Sequence, residues 1–265
     1  MPPSDGATNM ALDEAILEAV CAKKVAPTLR LFSWQPPCLS LGFSQSAGDV
    51  DRQACAVRGW EIVRRPTGGR AILHVDELTY SVSAPADEPR VAGGIVESYG
   101  RLAAGLLAGL RVLGLAPAEA RPLYAHNGAR HEASPVCFEG PARYEIIVRG
   151  RKLVGSAQSR RLGGILQHGT LPLTGDITRI LEVLRDPDPV DRQDARNRLL
   201  DRATTLETAL GRHVTFDQAA EALVAGFSQA LDLEFVECGL ADAEYAAAAR
   251  VREAKYACDT WTYRI

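Results

Sequence analysis

The residue order predicts an α+β protein, on three observations. Short strand-like runs cluster between about residues 28 and 84 and again between 144 and 173, a long apolar helical face lies between the two clusters, and helical patterning dominates after residue 177. Runs of strands with flanking helices, rather than strict strand–helix alternation, point to a mixed, largely antiparallel sheet with helices packed against it.

Each element follows from local chemistry. Asn9 is a good N-cap and Leu12, Ile16, Ala19 and Val20 fall at helical spacing, so a first helix is expected over about 9–22, packed on a sheet. Residues 28–34 and 38–42 read as strands broken by Pro36-Pro37, and 50–58 reads as a short helix. Residues 60–64 resume strand character, and 71–74 and 78–84 look like paired strands. From 94 to 113, Val96, Leu102, Leu106, Leu110 and Leu113 make a long helical face. Gly100, Gly105 and Gly109 each weaken it by ~1 kcal/mol relative to alanine, but would let another helix approach closely. Residues 117–141 lack periodicity and are rich in Pro, Gly, Ala, His and charge, as expected of a mobile connection. Residues 144–148, 152–158 and 165–173 read as three consecutive strands with turns at Arg149-Gly150 and 161–164, an antiparallel meander. Helices are expected at 177–184, 205–210, 216–231 and 242–256, with a strand at 233–238.

The composition bounds the function. The chain has 265 residues, 46% of them hydrophobic and 24% charged, and a formal net charge of −3. Such a chain buries a substantial core and carries no basic field for gathering phosphates, so nucleic acid is not the expected partner. The longest apolar run, Leu102 to Leu110 between Arg101 and Arg111, is too short to span a bilayer of ~30 Å. The first residues have neither a basic start nor the apolar segment of a signal peptide, so a cytoplasmic location is expected. Six cysteines (Cys21, Cys38, Cys55, Cys137, Cys238, Cys258) form no C-x-x-C pair and are expected as free thiols. His74, His126, His131, His168 and His213 show no metal-ligand spacing, so no metal is expected.

The most informative stretch is Arg64-Arg65-Pro66-Thr67-Gly68-Gly69-Arg70-Ala71-Ile72-Leu73-His74. It reads as a surface hairpin turn, or as a place where backbone closes around a ligand, because glycines adopt positive φ and expose their N–H groups. A second unusual region lies downstream, in Cys137-Phe138-Glu139-Gly140-Pro141, Gly150-Arg151-Lys152-Leu153-Val154-Gly155-Ser156-Ala157-Gln158 and Ile165-Leu166-Gln167-His168-Gly169. Cys137 follows an irregular stretch among polar residues, whereas Cys21 and Cys55 read as helix-face packing. A nearby ammonium such as Lys152 would favour its thiolate. Read alone, Lys152 is a solvated turn residue.

These motifs, together with Asn9-Met10-Ala11-Leu12-Asp13-Glu14, Asp76-Glu77-Leu78-Thr79-Tyr80-Ser81 and the Lys255-Tyr256 tail, resemble in order the lipoate-protein ligase and octanoyltransferase superfamily. The segments around Cys137 and His168 resemble its cysteine-dependent octanoyltransferase branch. The resemblance implies the biotin and lipoate protein ligase fold, related to class II aminoacyl-tRNA synthetases. It implies one catalytic domain over 1–265, with a core of about 9–256 and no separate C-terminal accessory domain.

It further implies Cys137 and Lys152 as catalytic residues. Substrate contacts are implied at Arg65, Thr67, Gly68, Gly69, His74, Gly155, Ser156, Ala157, His168 and Gly169. Ligases of the superfamily typically have a third glycine where this chain has Arg70, a difference that favours the transferase branch. A wall of Leu39, Leu41, Leu73 and Leu78 is expected to line an apolar tunnel for the acyl chain.

The implied activity moves octanoyl from an acyl-carrier-protein thioester to a lysine of a lipoyl-accepting domain, such as a glycine cleavage H protein, with no cofactor and as a monomer. The rivals are an ATP-dependent lipoate-protein ligase, an amidotransferase moving octanoyl between two lipoyl domains, and a noncatalytic acyl-binding protein that dispenses with Cys137.

Overall fold

Residues 3–115, 120–123, 145–185 and 189–265 are described in the computed structural model. The chain opens on helix α1 (Gly6–Cys21), capped by Asp5, whose carboxylate accepts the Thr8 N–H at 2.7 Å. Asn9, expected as the cap, lies inside the helix and is buried. Its amide donates to the carbonyls of Ser4 (3.0 Å) and Ser33 (3.2 Å), so its hydrogen bonds tie the helix to a neighbouring segment rather than end it.

Strands β1 (Thr28–Phe32) and β2 (Cys38–Leu41), the short helix α2 (Arg52–Val57), and strands β3 (Glu61–Arg64), β4 (Ile72–His74) and β5 (Glu77–Pro85) follow, close to the expected boundaries. Next come helix α3 (Ile95–Val112) and strands β6 (Ala120–Leu123), β7 (Glu145–Val148), β8 (Arg151–Arg161) and β9 (Gly164–Pro172). The remainder is helical: α4 (Pro189–Arg202), α5 (Leu206–Leu210), α6 (Phe216–Leu231), α7 (Asp242–Val251) and α8 (Asp259–Thr262).

Six strands form one sheet in the order β1-β5-β9-β8-β7-β6, antiparallel throughout, and the meander β7–β8–β9 sits inside it as expected. A second sheet has the order β3-β2-β4, with β2 parallel to β3 and antiparallel to β4. The expected pairing of 71–74 with 78–84 is therefore wrong. β5 is paired on both edges, by β1 and β9, which leaves no ladder for β4, and the two-residue link at Val75-Asp76 carries the chain from one sheet to the other.

Residues 233–238 also fail to form a strand. Their alternation is real, since Phe235 packs against the core while Val236 is exposed, but no strand pairs with them. Helix α4 went unforeseen because half of its residues are charged and few are apolar. The expected helix over 242–256 is α-helical only to Val251 and continues as a π turn over 252–256.

The large sheet has two chemically different faces because side chains alternate along a strand. Leu78, Tyr80, Val154 and Leu171 face α3 and α6 in the main core with Leu102, Leu106, Leu110, Leu223 and Phe227. Burying each such side chain contributes roughly 1.5–3 kcal/mol. The two helices approach so closely that a Cβ on Gly226 would fall 2.1 Å from the Gly109 nitrogen, as the small residues of α3 suggested.

The opposite face carries small and polar residues: Thr79, Ser81, Gly155, Ala157, His168 and Thr170. It is covered by α1 and the small sheet, where the site forms. No helix among the described residues is long and apolar enough to cross a membrane.

Candidate active site

A cavity lies between the two sheets, enclosing about 500 Å³ of space with its open mouth included. Its apolar walls come from Met10 on α1, Trp34 beyond β1, Ile72 on β4 and Ala157 on β8. Ser40, Arg65, Gly69, His74, Thr79, Gly155, Ser156, His168, Gly169 and Thr170 complete the lining. A carbon-lined space with polar groups around it suits a fatty acyl chain.

None of Leu39, Leu41, Leu73 and Leu78 lines this cavity. Leu39, Leu41 and Leu73 pack with Ile180, Val183 and Leu199 behind the small sheet, and Leu78 lies in the main core. The strand period is two, so the neighbours Ser40, Ile72, His74 and Thr79 face the cavity instead.

The glycine loop joins β3 to β4 at the cavity mouth. Gly69 has φ +94°, a conformation that favours glycine, and a Cβ on Gly42 would fall 1.8 Å from the Gly69 carbonyl oxygen. The loop therefore rests directly on the end of β2. Arg65 folds back to hold it: one nitrogen donates to the Ser40 carbonyl and hydroxyl, both at 3.0 Å, and the other to the carbonyls of Gly68 (2.9 Å) and Arg70 (2.7 Å). Gly68 sits at the exposed crest of the loop, and Thr67 is buried at its base.

Two carboxylate–imidazole–hydroxyl chains brace the cavity. In the first, Asp13 Oδ2 is 3.4 Å from His168 Nδ1, and His168 Nε2 is 2.6 Å from the Thr67 hydroxyl. Asp13 also accepts from Arg30 (2.9 Å) and Ser81 (2.8 Å). Burial pushes the Asp13 carboxyl up, but the bonds from His168, Arg30 and Ser81 outweigh it and hold the carboxyl below its usual range. Burial pushes His168 down from 6.5 despite the pull of Asp13, which leaves a neutral ring near pH 7. With an ionised acceptor at Nδ1, the ring proton sits there, and the Thr67 hydroxyl donates to Nε2.

In the second chain Glu77 is 2.7 Å from His74 Nδ1, and His74 Nε2 is 2.7 Å from Ser40 Oγ. Arg65 donates to the same Ser40 hydroxyl at 3.0 Å, which ties this chain to the residue that holds the glycine loop. Trp34 stacks on the His74 ring at 4.0 Å and donates to Thr79 at 2.8 Å, which in turn donates to Glu77.

Lys152 enters from β8 and is buried, contrary to the solvated turn its local sequence suggests. Its ammonium is hydrogen-bonded to the Glu145 carboxylate. A Cβ on Gly155 would stand 3.0 Å from Lys152 Cε and 3.2 Å from Nζ, so the absent side chain leaves the ammonium room at the cavity wall.

Cys137 lies outside the described residues, as do His126, His131 and the irregular segment apart from 120–123. None of the described cysteines lines the cavity; burial pushes the Cys38 thiol well up and the Cys55 thiol to about 11, so both remain protonated near neutral pH. Among the described residues no group of three His, Cys, Asp or Glu side chains is placed to hold a metal.

The structure thus brings Arg65, Gly69, His74, Gly155, Ser156, Ala157, His168 and Gly169 to one cavity, with Thr67 bonded to its wall and Lys152 behind Gly155. Sequence reasoning missed Met10, Trp34, Ser40, Ile72, Thr79, Glu77, Glu145 and Thr170. One signal was available: Thr79, Ser81 and Ser83 alternate with Leu78, Tyr80 and Val82, an unusual run of small polar side chains in a buried strand.

Residues 5–228 match the lipoyl protein ligase A/B catalytic domain. The chain belongs to that family. It is 44% identical to octanoyltransferase LipM of Kyrpidia tusciae, over 97% of this chain and 94% of the relative. It is 45% identical to octanoyltransferase LipM of Moorella thermoacetica, over 98% and 95%. In fold it is similar to a bi-partite lipoate protein ligase from Thermoplasma acidophilum, with a TM-score of 0.81, 24% identity, and coverage of 98% of this chain and 92% of that one. The α+β fold of lipoate-protein ligases is thereby established for this family member, which is an acyltransferase.

Proposed function

We propose that this family member transfers octanoyl from an acyl-carrier-protein thioester to a lysine of a lipoyl-accepting domain, through a thioester on Cys137. One observation carries the reading: Gly155 forms part of the wall of a carbon-lined cavity, and the buried Lys152 ammonium lies 3.2 Å from the point a Gly155 Cβ would occupy. Such a slot takes up a chain by burial, at ~0.8 kcal/mol per methylene, and presents its carbonyl to a cation.

The Cys137 thiolate attacks the thioester carbonyl, whose oxygen gains negative charge while Lys152 stabilises it; the carrier thiolate then leaves and takes up a proton. The acceptor lysine, as the free amine, attacks the new thioester, loses a proton and expels the Cys137 thiolate. A thioester becomes an amide, a downhill exchange that consumes no ATP. The Arg65-braced loop and the two imidazole chains keep the acyl slot in shape. The names of the LipM relatives favour the octanoyl group and a transferase over a ligase.

The test is to incubate the protein with octanoyl carrier protein and an acceptor domain, without ATP or magnesium, and follow acyl transfer by mass spectrometry. An octanoyl adduct mapped to Cys137, transfer to the acceptor, and loss of both in Cys137→Ala are expected. An adduct mainly on another cysteine would sink the thioester assignment. Modification that requires ATP and free octanoate would instead establish a ligase.

A further inference from the structure

We propose that the Thr170 hydroxyl is a second hydrogen-bond donor to the carbonyl oxygen of the bound acyl group, beside Lys152. The inference rests on the reading above only in taking the cavity's occupant to be a fatty acyl group.

Three hydroxyl-bearing side chains stand on the cavity face: Ser40, Thr79 and Thr170. Two of them are engaged by the protein, Ser40 by His74 and Arg65 and Thr79 by Trp34 and Glu77, and the Ser156 hydroxyl is bonded to Tyr80 on the other face of the sheet. Thr170 is the exception. It is 1% exposed, and its Oγ1 is buried with no hydrogen-bond partner among the described residues. A buried hydroxyl without a partner is costly, and native interiors rarely keep one. A hydroxyl left open on the wall of a ligand cavity finds its partner when the ligand arrives.

Its location says which ligand atom that is. Thr170 is paired with Gly155 across the β8–β9 ladder, and Lys152 Nζ lies 3.2 Å from the point a Gly155 Cβ would occupy. Directly opposed strand residues project to the same face at roughly 5 Å separation, so hydroxyl and ammonium converge on one rung of the sheet. The hydrogen-bond acceptor of a saturated acyl chain is its carbonyl oxygen. As a nucleophile adds to that carbonyl the oxygen becomes an anion, and a hydroxyl already aimed at it binds more strongly without reorganising. The ammonium supplies charge; the threonine supplies direction.

Thr170→Val removes the hydroxyl and keeps the shape, whereas Thr170→Ser keeps the hydroxyl. Two measurements are made on the full chain. First, calorimetry follows binding of octanamide, whose carbonyl occupies the acyl position whether the enzyme uses a carrier thioester or ATP. Thr170→Val is expected to bind about tenfold more weakly and Thr170→Ser close to wild type. Second, single-turnover transfer from octanoyl carrier protein should slow on the order of 10²-fold in Thr170→Val, with KM for the carrier unchanged and the rate recovered in Thr170→Ser.

A merely structural threonine would not separate the two variants, and valine in place of an unbonded buried hydroxyl is not expected to unfold the protein. Octanamide bound equally by wild type and Thr170→Val, or not bound by wild type, overturns the proposal. If wild type binds octanamide, the valine variant does not, and transfer requires ATP with free octanoate, then Thr170 stands and the transferase reading falls.

Discussion

His168 sits between a carboxylate that takes its Nδ1 proton and a hydroxyl that fills Nε2, so the ring is a neutral strut between α1 and the glycine loop. Its folded pKa lies below 6.5, the value it regains on unfolding, so the unfolded chain binds a proton that the fold refuses. The stability this contributes is complete above about pH 6.5 and is lost as pH falls toward the folded value. Asp13, also lowered, has its window below 3.8 and adds nothing in that range. Urea midpoints measured from about pH 7.5 to about 5.5 should therefore fall more steeply for wild type than for His168→Gln. Lys152 tests the other end of the site. Lys152→Met keeps the stem and removes the charge, and it should slow acylation on the order of 10² to 10³-fold. Iodoacetamide alkylation of Cys137 should shift its pH midpoint upward. An unchanged rate and alkylation profile would remove Lys152 from the mechanism.

At the scale of elements, the glycine loop is held by contact as much as by its own turn. Gly42 ends β2 against the Gly69 carbonyl, and Phe43 N–H donates to Thr67 O at 2.8 Å, so the loop is docked along its inner side. Gly42→Ala places a methyl where backbone already lies and neither partner can rotate away. The variant should lose about 1–3 kcal/mol in chemical denaturation and most of its acyl transfer, whereas Gly68→Ala, with open space around its Cβ position, should retain the fold. Equal behaviour of the two would mean that the loop does not rest on β2. The strands show why element boundaries were legible and faces were not. β2, β4 and β5 all lie near their expected positions, but both flanks of β2 and β5 are buried, so the leucines on one side and the Ser, His and Thr on the other compete equally for the label of lining. Only the layer stacked on each face decides.

Across the whole molecule, the two ends of the chain are bonded to one another and to the base of the glycine loop. Glu14 on α1 accepts from Lys255 at 2.7 Å and from the Tyr256 hydroxyl and is ion-paired with Arg161 at 2.8 Å, so the first and last recognisable motifs meet. Arg64 links the glycine loop to α8. It is fully buried and donates to the carbonyls of Gly42 (2.8 Å), Gln45 (2.6 Å) and Thr262 (2.9 Å), while Trp261 donates to its own carbonyl at 2.9 Å. Arg64→Met leaves those carbonyls buried without a donor. It should lower stability by about 3 kcal/mol in urea and reduce acyl transfer with it, because the loop begins at this residue. Wild-type stability in the variant would show that the C-terminal segment is not what anchors the loop.

The sequence by itself determined the α+β class, most strand and helix positions, the family, and the glycine loop, His168 and Lys152 as residues worth placing. These are local signals, carried by period, turn chemistry and short motifs. Tertiary structure decided the rest, because it depends on which layer covers which face. Asp13 became the support of His168 only when α1 lay on the polar side of the sheet, and Glu145 became the partner of Lys152 only when β7 and β8 paired. The Thr170 hydroxyl is buried without a hydrogen-bond partner among the described residues only because of how the two sheets and α1 come together. Hydrogen-bond satisfaction is a property of the assembled molecule, and no spacing in one dimension encodes it.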